Sequence, residues 1–212
     1  MIRNKKEYKK SWVQTTLEAA RQHADIQLSM LGYGYDEGKL GVAEHLLGEV
    51  QKWDTLYSEH LGGQKKATQS IKEARQEVHG RYVKHLRVAR VALESHKDLW
   101  DLLKIEGPRK VSLPEWLGQV KAFYYHYDRA ADILKQFNIT RSEVDQTIAM
   151  IEAIEDYRVQ QALNRSHAQE ATQRRDQFSR ELDKWMSEFM YVARLALKDH
   201  PQYLEALGKT VK

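Results

Sequence analysis

The sequence predicts an all-α protein built as a tandem duplication of two antiparallel three-helix units. An internal repeat is the first observation: the nonapeptide that begins at Val88 (VARVALESH) returns at Val192 as VARLALKDH, 104 residues later. Composition is the second, because 3 prolines, 11 glycines and 30 % charged residues are typical of amphipathic helices. We therefore predict one bundle over residues 1–105 and a second over residues 106–212, each of a usual domain size.

The first repeat has apolar residues at alternating spacings of three and four, which is the period of a helix. This spacing predicts a helix over residues 8–30, a second that starts after Asp36, and a third over residues 67–93. Gly62 and Gly63 are predicted to end the second helix, since glycine readily takes the left-handed conformation that closes helices.

The second repeat carries clearer boundary signals. Residues 112–115 and 140–143 both have the capping-box pattern that starts helices, and Ser166-His167 replaces the glycine pair at the predicted turn. Pro201 cannot lie inside a helix, so the last long helix is predicted to end near His200. Each unit then ends in a kink and a short terminal helix, over residues 99–105 and 203–207.

Several classes of protein are disfavoured by composition. The chain has no cysteine, which removes disulfides, thiolate nucleophiles and cysteine-bound zinc. No apolar run approaches the roughly 20 residues that span a bilayer, and the charged N-terminus does not resemble an export signal. We expect a cytoplasmic protein.

Catalytic and metal-binding motifs are missing from the sequence. No glutamate is followed three positions later by a histidine, and no two histidines are four apart, so a metal centre inside a helical bundle is not expected. Glycine-rich phosphate loops and nucleophile elbows are also missing. We therefore predict a protein that is not an enzyme and has no metal or cofactor.

Two pairs of residues recur at the predicted kinks and are candidate interaction or hinge residues: Arg90 with Arg194, and His96 with His200. The histidines could be ligands or acid–base groups, and the arginines could bind an anion. We favour the structural interpretation, in which the histidines fix the kink and each arginine pairs with a carboxylate on the short helix, Asp101 for Arg90 and Glu205 for Arg194.

An aromatic segment supplies two further candidates, Tyr124 and Tyr125, which flank the predicted buried face of their helix. They indicate an interface between units or, alternatively, a pocket for a planar ligand. A basic patch opens the chain and consists of Arg3, Lys5, Lys6, Lys9 and Lys10. It is either a solvated first helical turn or a contact for nucleic acid or an anionic membrane surface.

The function that fits these features best is a non-enzymatic interaction or assembly protein, a scaffold or adaptor, because repeating a unit doubles binding valency. The expected partner is another protein or a second copy, with homo-oligomerisation as the first expectation. One alternative is a nucleic-acid or anionic-surface binder that uses the basic patch. Another is a ligand- or metal-binding bundle that uses His96 and His200 or the tyrosine-rich segment.

Overall fold

The computed structural model describes the backbone of residues 5–208 and the side chains of residues 10–208. Over residues 5–208 the chain is helical and contains no strand, so the predicted all-α class is confirmed. The helices are α1 (Lys5–Gln22), α2 (Ala24–Leu31), α3 (Glu37–Ala92), α4 (Lys97–Leu102), α5 (Leu113–Tyr125), α6 (Ala131–Gln136), α7 (Arg141–Ala196) and α8 (Tyr203–Ala206), with a 3₁₀ turn at Tyr127–Arg129.

The two long helices, α3 and α7, occupy the same place in the two repeats. Each has 56 residues, and their first and last residues are 104 apart, the same offset as in the sequence. Both starts are capped by the residues that the sequence indicated. The backbone N–H of Lys39 donates to Asp36 Oδ1 at 2.8 Å, and Thr140 and Glu143 exchange the two hydrogen bonds of a capping box, each 3.3 Å long.

The three-helix organisation predicted for each unit is wrong, because the second and third helices are one continuous helix. α3 runs through Gly62 and Gly63, and α7 runs through Ser166 and His167. A glycine inside a helix costs only about 1 kcal/mol, and packing of the apolar face supplies most helical stability in proteins. The glycine pair was therefore a weak stop signal.

The helix predicted over residues 8–30 of the first repeat is divided in two, and the corresponding segment of the second repeat is divided as well. In the first repeat His23 has an extended backbone, with φ −90° and ψ 107°, and separates α1 from α2. In the second repeat the 3₁₀ turn separates α5 from α6. Phe137 follows α6 and is 45 % exposed because it lies in the turn that leads into α7.

The chain forms two compact units that do not coincide with the sequence repeats. Unit 1 consists of residues 1–60 and 166–212, and unit 2 consists of residues 61–165. Both long helices contribute a segment to each unit, so each unit combines residues of both repeats. The assignment of one bundle to residues 1–105 and another to residues 106–212 follows the sequence repeat and stays a prediction.

In unit 1, α1 and α2 pack on the first part of α3 and the last part of α7. The two long-helix segments run antiparallel, since Arg175 lies against Asp54 at 3.3 Å while the rings of His60 and His167 are 4.9 Å apart. The core is apolar and is made of Val13, Leu17, Ile26, Met30, Tyr35, Leu40, Leu47, Val50, Leu182, Met186, Phe189, Ala193 and Leu197, among others.

In unit 2, α5 and α6 pack on the last part of α3 and the first part of α7. Gln161 donates to Thr68 Oγ1 at 2.8 Å and Arg81 donates to Gln146 Oε1 at 3.3 Å, which gives the same antiparallel order. Its core contains several large aromatic side chains and includes Val78, Tyr82, Leu86, Leu93, Leu103, Ile105, Trp116, Val120, Phe123, Tyr124, Leu134, Val144, Ile151 and Ile154.

The glycine pair in α3 offers a matched test of this packing in unit 2. A Cβ on Gly62 would meet no atom within 4 Å, so Gly62→Ala should raise the free energy of unfolding by about 0.5–1 kcal/mol through helix propensity. A Cβ on Gly63 would lie 2.6 Å from Asn164 Oδ1, and Asn164 donates to the carbonyl of Gln160. Gly63→Ala should therefore give no such increase in the free energy of unfolding. Equal stabilisation of both variants in urea denaturation would contradict the close approach.

Candidate interaction surfaces

Unit 1 has a surface groove of about 510 Å³ beside the turn between α2 and α3. We call it the unit 1 groove and define it by its lining residues, Tyr33, Tyr35, Lys39, Ser187, Glu188, Tyr191 and Val192. The turn is closed by Gly34, whose φ of +78° lies in the left-handed region that favours glycine. The N–H of Tyr35 then bonds back to the carbonyl of Met30 at 3.1 Å, which fixes the turn on the end of α2.

The two tyrosines of the turn have opposite environments. Tyr35 is buried and makes edge-on ring contacts with Phe189 and Trp185, at centroid distances of 5.2 and 5.7 Å. Tyr33 is 53 % exposed, and Tyr191 on α7 is 62 % exposed. Tyr35 thus anchors the turn to the core of unit 1, while the other two aromatic side chains face solvent at the groove.

The groove carries one positive and one negative side chain, on different helices. Lys39 of α3 places its Nζ 3.7 Å from the ring centroid of Tyr35, a cation–π distance. Glu188 of α7 is exposed on the other side. Burial raises the pKa of Tyr35, and the negative charge of Glu188 raises it further.

Unit 2 exposes apolar side chains at the repeat positions that correspond to exposed residues of unit 1. Phe137 corresponds to Tyr33 at the 104-residue offset, and Asn138 corresponds to Gly34 and has a left-handed φ of 63°. Val91 near the end of α3 corresponds to Leu195 near the end of α7, and these are 67 % and 50 % exposed. Each unit therefore presents an aromatic side chain before the left-handed residue and an aliphatic one near the end of its long helix.

The predicted arginine and histidine pairs do not form a common site. Arg90 donates to the carbonyl oxygens of Ile105 and Gly107, both at 2.9 Å, so it holds the segment after α4 and is not bonded to Asp101 as predicted. Its counterpart Arg194 is exposed on α7. The guanidinium of Arg90 therefore has a structural role, because backbone carbonyl oxygens accept its hydrogen bonds.

His96 and His200 lie at the predicted breaks but in different units. His96 is the residue before α4, and its exposed side chain makes no capping hydrogen bond. The ring of His200 is also exposed and lies 5.5 Å from the ring of Tyr203. The backbone N–H groups of both close the preceding helix, through bonds to the carbonyls of Leu93 and Leu197.

Tyr124 and Tyr125 differ in burial. Tyr124 is buried in unit 2, where its hydroxyl lies 3.0 Å from His85 Nδ1. Burial raises the pKa of Tyr124 and lowers the pKa of His85, so both side chains are neutral at pH 7. Tyr124 is therefore a core residue, whereas Tyr125 is exposed, with Lys121 Nζ 5.9 Å from its ring centroid. The hydroxyl of Tyr82 is buried in the same unit and has no hydrogen-bond partner among the described residues. Burial raises its pKa to about 12.

The predicted basic patch is described in part. Arg3 lies outside the described residues, and the side chains of Lys5, Lys6 and Lys9 do as well, although their backbone belongs to α1. Lys10 is bonded to Asp54 in unit 1, at the edge of a cavity of about 180 Å³.

The cavity edge in unit 1 carries a linked set of charges. Arg175 bonds to Asp54 at 3.3 Å and to Asp176 at 2.8 Å. Burial alone would raise the pKa of Asp54, but the hydrogen bonds and charges of Lys10 and Arg175 outweigh burial and lower it. Lys10 thus forms an ion pair within its own unit.

Two further features bear on the alternatives. Among the described residues, no three histidine or acidic side chains lie together in an arrangement that could hold a metal ion. In the same part of the chain, no helix combines the length and apolar character needed to cross a membrane.

Comparison with known proteins gives no relative from which a function could be transferred. No family model matches the chain. The searches of curated proteins and of solved structures likewise return no match. The candidate surfaces therefore rest on the geometry and chemistry of this chain.

The sequence pattern did not single out the residues that define the unit 1 groove on α7. The apolar stripe of that helix includes Met186, Phe189 and Ala193, and Tyr191 lies off this stripe. An aromatic residue outside the buried face was the available signal for exposure. The juxtaposition of Lys39 with Glu188 had no sequence signal, because it depends on how α3 and α7 pack in unit 1.

Proposed function

We propose that the protein is a non-enzymatic interaction and assembly protein, a scaffold or adaptor that arose by internal duplication. The observation that carries this proposal is the recurrence of exposed apolar side chains at the same repeat positions in both units. Tyr33 and Leu195 in unit 1 correspond to Phe137 and Val91 in unit 2. Exposed aromatic residues are favoured anchors in protein interfaces, where a few side chains supply most of the binding energy.

Duplication gives such a protein two binding surfaces on one chain. The matched bounds of α3 and α7 and the matched left-handed residues Gly34 and Asn138 support duplication of the whole helical pattern. Two surfaces raise overall affinity for a repeated partner without any new contact. We place this function in the cytoplasm, because a chain without cysteine suits a reducing compartment.

Site-specific photocrosslinking in the cells that make the protein tests the proposal. The crosslinking residue p-benzoylphenylalanine replaces Tyr33 or Phe137, both exposed aromatic positions, and Tyr157 on α7 is the matched control, an exposed aromatic residue outside the two surfaces. We expect discrete protein adducts from positions 33 and 137 and none from 157, with the adducts identified by mass spectrometry.

The pattern of adducts decides the outcome. Adducts at position 33 or 137 that are missing at 157 support an interaction function through these surfaces. If neither surface position gives an adduct above the level at 157, the proposed function is wrong.

A further inference from the structure

We propose that the unit 1 groove binds the same groove of a second copy of this chain, in a two-fold symmetric dimer. This inference rests on the proposed function and names the partner at one of its two surfaces. The groove combines exposed aromatic side chains, Tyr33 and Tyr191, with the oppositely charged Lys39 and Glu188.

A two-fold interface uses one surface twice, so that surface must be complementary to itself. In such an interface, if residue i of one copy contacts residue j of the other, residue j of the first also contacts residue i of the second. Lys39 and Glu188 satisfy this requirement, since each can face its opposite in the partner and two equivalent ion pairs form. A purely acidic or purely basic partner would instead place a like charge against one of them.

In this interface the charged side chains supply specificity for the partner, and the aromatic side chains supply most of the buried surface area. Tyr33 and Tyr191 expose more than half of their surface beside Tyr35, whose ring is held in place by Phe189 and Trp185. Exposed tyrosines beside a packed ring are suited to anchor an interface, because the residues that dominate binding energy are enriched in tyrosine. Charged residues at the rim mainly set partner choice and association rate.

Unit 2 lacks the features that favour self-pairing. Arg87 occupies the repeat position of Tyr191, so an aromatic side chain is replaced by a cation. Glu143 occupies the position of Lys39, and its carboxylate is bonded to Thr140 in the capping box of α7. Self-association through unit 1 therefore closes as a dimer, because the same surface is used by both copies, and leaves Phe137 and Val91 open to a different partner.

Charge reversal tests the pairing directly. We expect the wild-type chain to dimerise in sedimentation-velocity experiments, and Lys39→Glu and Glu188→Lys each to weaken dimerisation at least about tenfold, because each places two like-charge pairs in the interface. A one-to-one mixture of the two variants should restore dimerisation. In the mixed dimer both pairs again join opposite charges, and native mass spectrometry of one isotope-labelled variant identifies it as a heterodimer.

The controls separate specific pairing from general charge effects and from misfolding. Lys66→Glu and Glu59→Lys change net charge by the same amounts at exposed positions of α3 outside the groove, and should leave dimerisation unchanged. Rescue in the mixture also shows that both groove variants are folded, because a misfolded chain cannot be repaired by a second misfolded chain.

Two results would overturn the inference. One is a wild-type chain that stays monomeric throughout the micromolar range, and the other is a mixture that associates no better than the single variants. If this occurs while position 33 or 137 still crosslinks to a different protein, the dimer is wrong and the interaction function stands. If the crosslinks are also missing, both proposals fail.

Discussion

Truncation of Trp116 to alanine should lower the free energy of unfolding by about 3–5 kcal/mol, the range for removal of a fully buried large aromatic side chain. Trp116 has no exposed surface and contacts the core of unit 2. Its indole N–H donates to His79 Nδ1 at 3.2 Å, and the guanidinium carbon of Arg75 lies 5.1 Å from its ring centroid. The truncation removes all three contributions and leaves a cavity.

The repeat supplies the matched control for this prediction. Trp12 occupies the equivalent position in the first repeat but is only partly buried, and its indole N–H donates to the carbonyl of Leu207 at 3.2 Å. Trp12→Ala should therefore cost distinctly less. Urea denaturation followed by circular dichroism gives the two free energies, and hydrogen exchange locates the loosened unit. Equal costs for the two variants would contradict the complete burial of Trp116.

Truncation of Phe189 to alanine should have a similar cost in unit 1, about 3–5 kcal/mol. Phe189 is fully buried, stacks on Trp185 at a centroid distance of 5.1 Å, and meets the edge of Tyr35 at 5.2 Å. Because Tyr35 forms the floor of the unit 1 groove, the same change should also weaken self-association. Stability and dimerisation are therefore expected to fall together.

Phe178 on the same helix is the comparison for this second prediction. It is partly buried against the core of unit 1 and does not line the groove. Phe178→Ala should cost less stability and should leave dimerisation intact. A Phe189→Ala variant that unfolds at the wild-type urea concentration would contradict the packing around Tyr35.

Local signals in the sequence were sufficient for the helical class and for the starts of the long helices. Asp36 and Thr140 cap α3 and α7 because their side chains reach backbone N–H groups or a capping carboxylate within one turn, and such bonds depend on neighbouring residues alone. The predicted breaks at the kinks are also local, since Pro201 excludes a continuous helix.

Features that depend on tertiary packing could not be predicted from these local signals. Gly62 and Gly63 favour a helix end locally, yet α3 continues through them because its apolar face is packed. Asn164 occupies the space that a Cβ atom on residue 63 would need. Tyr124 and Tyr191 illustrate the same limit for the candidate surfaces. Both are tyrosines on amphipathic helices, but one is buried beside His85 and the other is exposed beside Glu188.

The division of each long helix between two compact units has a consequence for folding. Residues 1–105 alone would hold one part of each hydrophobic core, and residues 106–212 would hold the complementary parts. A chain that held only one repeat would have to exchange helix segments with a second molecule to complete either core. A chain that carries both repeats completes the two cores within one molecule, so its folding does not depend on concentration.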